Sequence, residues 1–518
     1  MLFNSFVFIF AFLPATLALY FLGRHYLGLR YANGILVICS LFFYAWWSPP
    51  YLLLIVFSIV GNFLLSRLLF RTFGRLQKWI LGIGIGANLA LLGYFKYTAF
   101  LVDNLTSLLY LGWPVPQIVL PIGISFYTFQ QIAFLVDVGG RHRETRDFIN
   151  YALFISFFPQ LIAGPIVFHN EMMPQFAQPK SYARRRLLFA VGLTLFVIGL
   201  SKKVLIADSV ALFSTPVFDA ALVGTPPSLI ESWGGVLAYT FQIYFDFSGY
   251  SDMAAGLALL FGIRLPINFF SPYKSASIIE FWRRWHITLS RFLRDFVYIP
   301  LGGNRVGETR RIINILVTML LGGIWHGAAW TFAIWGALHG IFICINHIWR
   351  KLPWHKSAKS GSALTRFLSR TLTFILVVIA WAFFRAETTD SALLIVTGMF
   401  GGHGIGLPAG LANLFEAANA PCSAFRICGV MTPNDIVNWE FGLPLLAALL
   451  AVVWLAPNSY ELLGGYRPML LILDNRVERT TWSFKLRLNW KYGILIGLLF
   501  GICTIIMTGE SEFLYFQF

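Results

Sequence analysis

The chain has 518 residues, with 39 Lys and Arg against 23 Asp and Glu for a net charge of +16; 58% of it is hydrophobic and only 12% charged. Soluble domains are about 25% charged and about 45–50% apolar, so this composition excludes a soluble enzyme, a disordered tail and a nucleic-acid binder. The apolar excess runs along the whole length, more than one core could enclose, and a bilayer has to solvate most of the surface.

A membrane span needs about 20 mostly apolar residues. Runs of this kind lie at 2–22, 33–47, 51–66, 79–100, 118–138, 187–207, 233–263, 312–326, 330–349, 371–386, 440–456 and 492–508. The first lacks a basic leader and a small-residue cleavage site, which predicts a retained helix and not a signal peptide. Basic clusters punctuate the runs, at Arg24/Arg30, Arg67 to Lys78, Arg141/Arg143/Arg146, Lys180 to Arg186, Arg264 to Arg311, Arg350 to Arg370 and Arg467 to Lys491. Lys and Arg gather in cytoplasmic loops. Placing every cluster there leaves 48–50, 103–117, 208–232 and 387–439 outside, with both termini facing outward.

That parity sets two conditions. The segment Tyr151 to Phe168, interrupted at Phe158-Pro159-Gln160 and Gly164-Pro165, must return to its own face as a re-entrant element. Segments 312–326 and 330–349 must form a hairpin. Lys202 and Lys203, near the outer end of their helix, fit the layout poorly. Cys39, Cys344 and Cys503 lie in apolar runs as packing residues, whereas Cys422 and Cys428 fall in the outer loop, where a disulfide is permitted.

One all-α, polytopic membrane domain over residues 1–518 is the predicted architecture, with a cytoplasmic amphipathic segment at 264–311, an extracytoplasmic loop at 387–439 and an extracytoplasmic aromatic tail at 509–518. In 264–311, Phe281, Trp282, Trp285, Leu289, Phe292, Leu293 and Phe296 alternate with Arg283, Arg284, His286, Arg291, Arg294 and Asp295. Spacings of three and four put the aromatics on one side and the bases on another, the pattern of an amphipathic helix at the interface or lining a vestibule.

Ionisable residues inside membrane segments are expensive and mark candidate sites. His326 lies in Gly322-Gly323-Ile324-Trp325-His326-Gly327 at the turn of the hairpin, where small residues let another backbone or a narrow substrate come close; it is either a working imidazole or a core histidine tying two helices together. His286 follows Arg283-Arg284-Trp285, which offer charge and stacking surfaces suited to a phosphorylated, adenine-bearing donor, or equally an interfacial aromatic belt. Asp246 and Asp252 sit in an otherwise apolar helix, to orient a base or to pair with a buried Arg. His339 and His347 read as packing or interfacial residues. Gly82, Gly84 and Gly86 belong to close helix packing. No metal-ligand spacing, nucleophile elbow or nucleotide loop occurs, which leaves group transfer or transport.

The hairpin with Trp325-His326-Gly327, the upstream Arg283-Arg284-Trp285-His286, and the runs Tyr244 to Met253 and Leu120 to Phe126 resemble the membrane-bound O-acyltransferases, the MBOAT family. Within it they are most similar to the bacterial branch of alginate O-acetylation and teichoic-acid D-alanylation. The resemblance extends to about residue 390 and is most specific between 240 and 340. It implies an MBOAT fold of about 11–13 transmembrane or re-entrant helices around a central tunnel. It further implies His326 as the catalytic residue, His286 as a second functional histidine, and Arg283, Arg284, Trp285 and Trp325 as donor-binding candidates. The donor would be cytoplasmic acetyl-CoA, without a metal, because a neutral imidazole can take a proton from an attacking hydroxyl while a thioester supplies a good leaving group.

The tail Phe513-Leu514-Tyr515-Phe516-Gln517-Phe518 resembles an aromatic C-terminal motif of the same branch, in which the tyrosine is proposed to carry the acyl group. Composition alone makes Tyr515 an interfacial belt residue. The resemblance thus implies a relay in the bacterial inner membrane, from acetyl-CoA to Tyr515 and on through a periplasmic acetyltransferase to a polysaccharide, alginate first, with peptidoglycan or cellulose as alternatives. The competing class is a transporter or flippase without acyl transfer; the paired broken helices it favours are not visible in the sequence.

Overall fold

The computed structural model describes residues 1–140, 147–178, 182–352, 362–406, 437, 439–471, 485–507 and 513–514. Among them every regular element is a helix, and strand-type pairing is confined to a bridge between Pro266 and Leu470. The N-terminal part comprises α1 (Leu13–Tyr26), α2 (Leu29–Ala45), α3 (Pro49–Arg71), α4 (Gly74–Leu109) and α5 (Ile124–Gly139). The chain continues through α6 (Phe148–Ser156), α7 (Phe158–Leu161), α8 (His169–Ala177), α9 (Tyr182–Ser201), α10 (Asp208–Leu222) and α11 (Leu229–Leu260). Two short helices, α12 (Ile278–Arg284) and α13 (Ile287–Leu293), precede the hairpin of α14 (Glu308–His326) and α15 (Trp330–Trp349). After it come α16 (Ala363–Arg385), α17 (Thr389–Met399), α18 (Trp439–Leu455), α19 (Ser459–Leu462) and α20 (Trp490–Ile506).

Six helical stretches are long and apolar enough to cross a membrane: Phe8–Tyr26, Pro49–Arg71, Gly74–Leu109, Arg184–Leu222, Trp330–Trp349 and Ala363–Arg385. Leu53, Phe57, Ile83, Leu212 and Ile505 point outward from the helices, apolar surface that only lipid can cover. α11 is different, since every residue from Ala238 to Leu260 is buried. A helix that is apolar on all sides belongs in the middle of a bundle. α11 packs there against α9, α10, α16, α17 and α18.

Glycine makes the tightest of these crossings possible. A Cβ on Gly199 would lie 2.5 Å from the Gly249 carbonyl, and one on Gly192 would lie 2.6 Å from that of Gly256, so the two backbones touch at two points seven residues apart on each helix. Small residues at both points allow packing that side chains would prevent. Beyond this crossing the cationic end of α9 runs into Lys202 and Lys203, which explains their awkward position in the sequence. Lys202 pairs with Asp252 at 2.6 Å, and Lys203 pairs with Asp246 at 2.7 Å and Asp208 at 3.0 Å. The buried carboxylates of α11 are therefore neutralised by lysines, where an arginine was the expected partner.

Three stretches differ from the sequence pattern. In the amphipathic segment 264–311, extended chain and a turn at Pro272–Lys274 precede α12 and α13, and the helical spacing expected from Phe281 to Phe296 is divided between those two helices. The break falls at His286, whose backbone is left-handed (φ 41°), so the spacing of three and four does not persist through it. The loop 387–439 contains α17, whose end is capped by Thr388 accepting from Ser391 N. Of the run 118–138 only Ile124 onward is helical. The segment Tyr151 to Phe168 breaks at Phe157, between α6 and α7, and every residue from 151 to 167 is buried.

The buried side chains form two apolar clusters that α11 joins. One takes Tyr250 to Phe261 together with α1 to α9; the other takes Val236 to Phe247 with α10, α12 and the helices from α14 to α18. His286 and His326 lie where the two meet.

Candidate active site

His326 is the last residue of α14, and the chain leaves it in extended conformation at Gly327. Its ring is packed edge-on by Trp325 at 4.9 Å, Trp335 at 5.2 Å and Phe384 at 5.1 Å between ring centres. The flanking glycines serve helix packing. A Cβ on Gly323 would sit 2.3 Å from the Phe332 carbonyl, one on Gly336 would sit 2.5 Å from that of Met319, and one on Gly327 would strike the Phe332 ring. The approach they permit is that of a neighbouring backbone, α15, and not of a substrate.

A helix ends with unsatisfied carbonyls, and at this end α4 supplies their donors. Lys96 Nζ donates to the carbonyls of Trp325 and His326, and the Tyr97 hydroxyl donates to that of Ile324 at 2.9 Å. Lys96 was not singled out from the sequence, although a lone charge in the apolar run 79–100 is a signal of the required kind.

His286 is fully buried, and its ring centre lies 6.4 Å from that of His326. Asn268 Oδ1 is 3.1 Å from its Nδ1. Trp325 covers the pair from one side, 6.2 Å from His286, and stacks on Phe129 at 5.3 Å. Trp285 stacks on Phe281 and packs against Phe269 and Trp381 on the other side. The structure thus brings together His286, His326, Trp285 and Trp325 from the predicted set. His339 is separate in chemistry: its Nδ1 accepts from Trp282 Nε1 at 3.3 Å, and Trp335 stands between it and His326.

Two spaces adjoin this group. A small cavity of ≈20 Å³, room for about one water, is bordered by His326, Asp246, Phe247, Trp285, Trp381, Phe384 and Leu514. Leu514, the second residue of the C-terminal aromatic motif, helps wall the cavity. Phe513 is buried beneath the Lys203 ammonium (4.8 Å) and against Tyr250, and Leu514 N donates to Asp246 Oδ2 at 3.1 Å. The tail at 513–514 is therefore folded into the protein. Tyr515, Cys422 and Cys428 lie outside the described residues.

The second space is a vestibule of ≈410 Å³ whose walls include Trp282, Arg283, Arg291, Arg294, His347 and Arg350. Two carboxylates partly offset this charge, Glu171 with Arg291 at 2.5 Å and Asp295 with Arg294 at 2.7 Å. Ile287, next to His286, also lines it. Of the donor-binding candidates only Arg283 is on this wall. Arg284 is buried and committed elsewhere, to Glu280 at 2.7 Å, the Phe270 carbonyl at 3.3 Å and the Phe270 ring, because the turn of α12 points it away. Trp285 and Trp325 wall the histidines instead. Among the described residues, no three His, Cys, Asp or Glu side chains gather as a metal site.

Residues 95–360, which contain every residue of this site except Leu514, Trp381 and Phe384, match the family model of the membrane-bound O-acyltransferases (MBOAT). A peptidoglycan O-acetyltransferase of Helicobacter pylori is 44% identical over 435 residues, covering 79% of this chain and 81% of that protein. A probable alginate O-acetylase AlgI of Pseudomonas aeruginosa is 44% identical over 408 residues, covering 77% of this chain and 75% of that protein. A teichoic acid D-alanyltransferase of Streptococcus thermophilus is 27% identical over 288 residues, 52% of this chain and 69% of that protein.

Proposed function

The chain belongs to the membrane-bound O-acyltransferase family and is an acyltransferase, and from that premise we propose that it moves acetyl groups from cytoplasmic acetyl-CoA across a bacterial inner membrane for O-acetylation of a polysaccharide. The observation that carries this reading is the pair of buried imidazoles, His286 and His326, with ring centres 6.4 Å apart between an arginine-lined vestibule and the C-terminal tail. Membership in an acyltransferase family replaces the transporter reading.

The vestibule suits the phosphates of the donor, with Arg283 as their first partner. In the relay, the Tyr515 hydroxyl attacks the thioester carbonyl and its proton passes to His326. A C–O bond forms, the C–S bond breaks, and the thiolate takes up the proton to leave as free thiol. His286 assists as the second histidine. The burial of Phe513 and Leu514 beside the His326 cavity supports a tail that works inside the protein. A periplasmic acetyltransferase then moves the acetyl group from Tyr515 to a sugar hydroxyl.

Alginate is the acceptor proposed first. The Helicobacter pylori relative, matched over a larger share of both chains, favours peptidoglycan as the second reading. The test is a deletion strain complemented with wild type or Tyr515→Phe, with acetyl ester content measured on each polymer. Acetylation restored by wild type and lost in Tyr515→Phe supports the relay. Full acetylation with Tyr515→Phe removes the relay and leaves direct transfer to the partner, and no acetylation of any polymer by wild type overturns the function.

A further inference from the structure

His286 begins α13 from a left-handed backbone (φ 41°), a conformation that is strained for a residue other than glycine and persists only where its surroundings impose it. The extended chain at 266–270 does so. The Asn268 carbonyl accepts from Ile287 N at 2.9 Å, and Phe270 N donates to the Arg284 carbonyl at 2.9 Å, so the backbone is gripped on both sides of His286.

The Asn268 side chain then fixes the imidazole. Its Oδ1 accepts from Thr288 N at 3.3 Å and from Thr288 Oγ1 at 2.9 Å, and lies 3.1 Å from His286 Nδ1. The bonds themselves decide which end of the amide is oxygen, because a main-chain N–H can only donate. The hydroxyl is settled in the same way: Thr288 Oγ1 accepts from Ile166 N at 3.0 Å, so its own proton goes to Asn268. Facing an oxygen, His286 Nδ1 must carry the ring proton.

Nε2 of the neutral ring is then a lone pair. It is buried with no hydrogen-bond partner among the described residues. A buried acceptor left unsatisfied is costly, and it is open to a proton that the reaction brings. The rings around it belong to Phe247, Phe269, Trp325 and the titratable His326.

We propose that Asn268 is a positioning residue that holds His286 as the Nδ1–H tautomer, so that Nε2 stands open as a proton acceptor in the transfer. The proposal rests on the acyl-transfer reading above. Held this way, His286 offers a second acceptor beside His326, the base that takes the hydroxyl proton, and can return a proton only after it has taken one up.

The test uses the purified full chain in lipid nanodiscs, with turnover of labelled acetyl-CoA measured across pH and thermal unfolding measured in parallel. Asn268→Leu removes the acceptor, and kcat is expected to fall about 100-fold with KM within about twofold. Asn268→Asp keeps an acceptor and adds charge. It is expected to hold kcat within about tenfold and to move the acid limb of the pH–rate profile to higher pH, because a carboxylate at Nδ1 favours the imidazolium. Equal loss in both variants, or full kcat in Asn268→Leu, overturns the proposal. If Asn268→Leu does not fold, an unmoved acid limb in Asn268→Asp overturns it. His286→Ala separates the two levels: full turnover there ends the role of His286 in acyl transfer and this proposal with it, whereas loss there beside full turnover in Asn268→Leu ends the proposal alone.

Discussion

Lys96 Nζ lies 2.6 Å from the carbonyl oxygen of Trp325 and 2.8 Å from that of His326, so a lysine of α4 holds the end of the helix that presents the imidazole. Bonds from a charged donor contribute about 1.5–3 kcal/mol each. Lys96→Met is expected to remove the charged donor from both carbonyls, to loosen His326 and to lower acetyl turnover about 10- to 100-fold, with a lowered unfolding midpoint. Turnover and midpoint equal to wild type would show that α4 does not set the position of His326.

Arg283 and Arg284 are neighbours with different surroundings. Arg283→Ala removes charge from the vestibule wall and is expected to raise KM for the donor about tenfold with kcat little changed. Arg284→Ala removes the cation paired with Glu280 and a donor to the Phe270 carbonyl and is expected to lower the unfolding midpoint with KM unchanged. Steady-state kinetics and a melting curve on the two variants check both, and a KM effect confined to Arg284→Ala would reverse the assignment.

The glycines around the hairpin separate by the space beside them. Gly323→Ala drives a methyl to within 2.3 Å of the Phe332 carbonyl, main chain that cannot swing aside. A loss of about 1–3 kcal/mol is expected, read as a lowered midpoint. Gly82→Ala and Gly86→Ala meet nothing within 4 Å and are expected to be neutral or slightly stabilising, since alanine favours helix.

The tail is docked through Asp246, which binds Lys203 through Oδ1 and Leu514 N through Oδ2. Asp246→Ala removes the nearer of the two carboxylates paired with the buried Lys203, at a cost of about 3–5 kcal/mol for breaking such a pair. Deleting residues 509–518 is expected to destabilise wild type but to add little to Asp246→Ala. Equal effects of the deletion in both backgrounds would mean that the tail is held by something else.

Much of this was legible in the sequence because bilayer solvation writes itself into composition. The apolar runs became helices at nearly their predicted places, and the breaks at Phe157 and at Gly327 fell where Pro and Gly interrupt the pattern. His326 stood out as an ionisable group among apolar neighbours. What could not be read was long-range. The left-handed turn at His286 depends on Asn268, eighteen residues away, and no local spacing announces it. The pairing of Lys202 and Lys203 with Asp252 and Asp246 joins helices 43 and 50 residues apart in sequence. Arg284 is the same residue type as Arg283, and only the turn of α12 sets their surroundings apart.

Acetyl turnover from labelled acetyl-CoA by the purified protein, wild type beside His326→Ala, tests most directly the proposal that His326 carries the chemistry. Turnover in wild type and a loss of at least about 100-fold in His326→Ala at an unchanged unfolding midpoint are expected. Turnover that survives the substitution would return His326 to a helix-packing role and contradict the account.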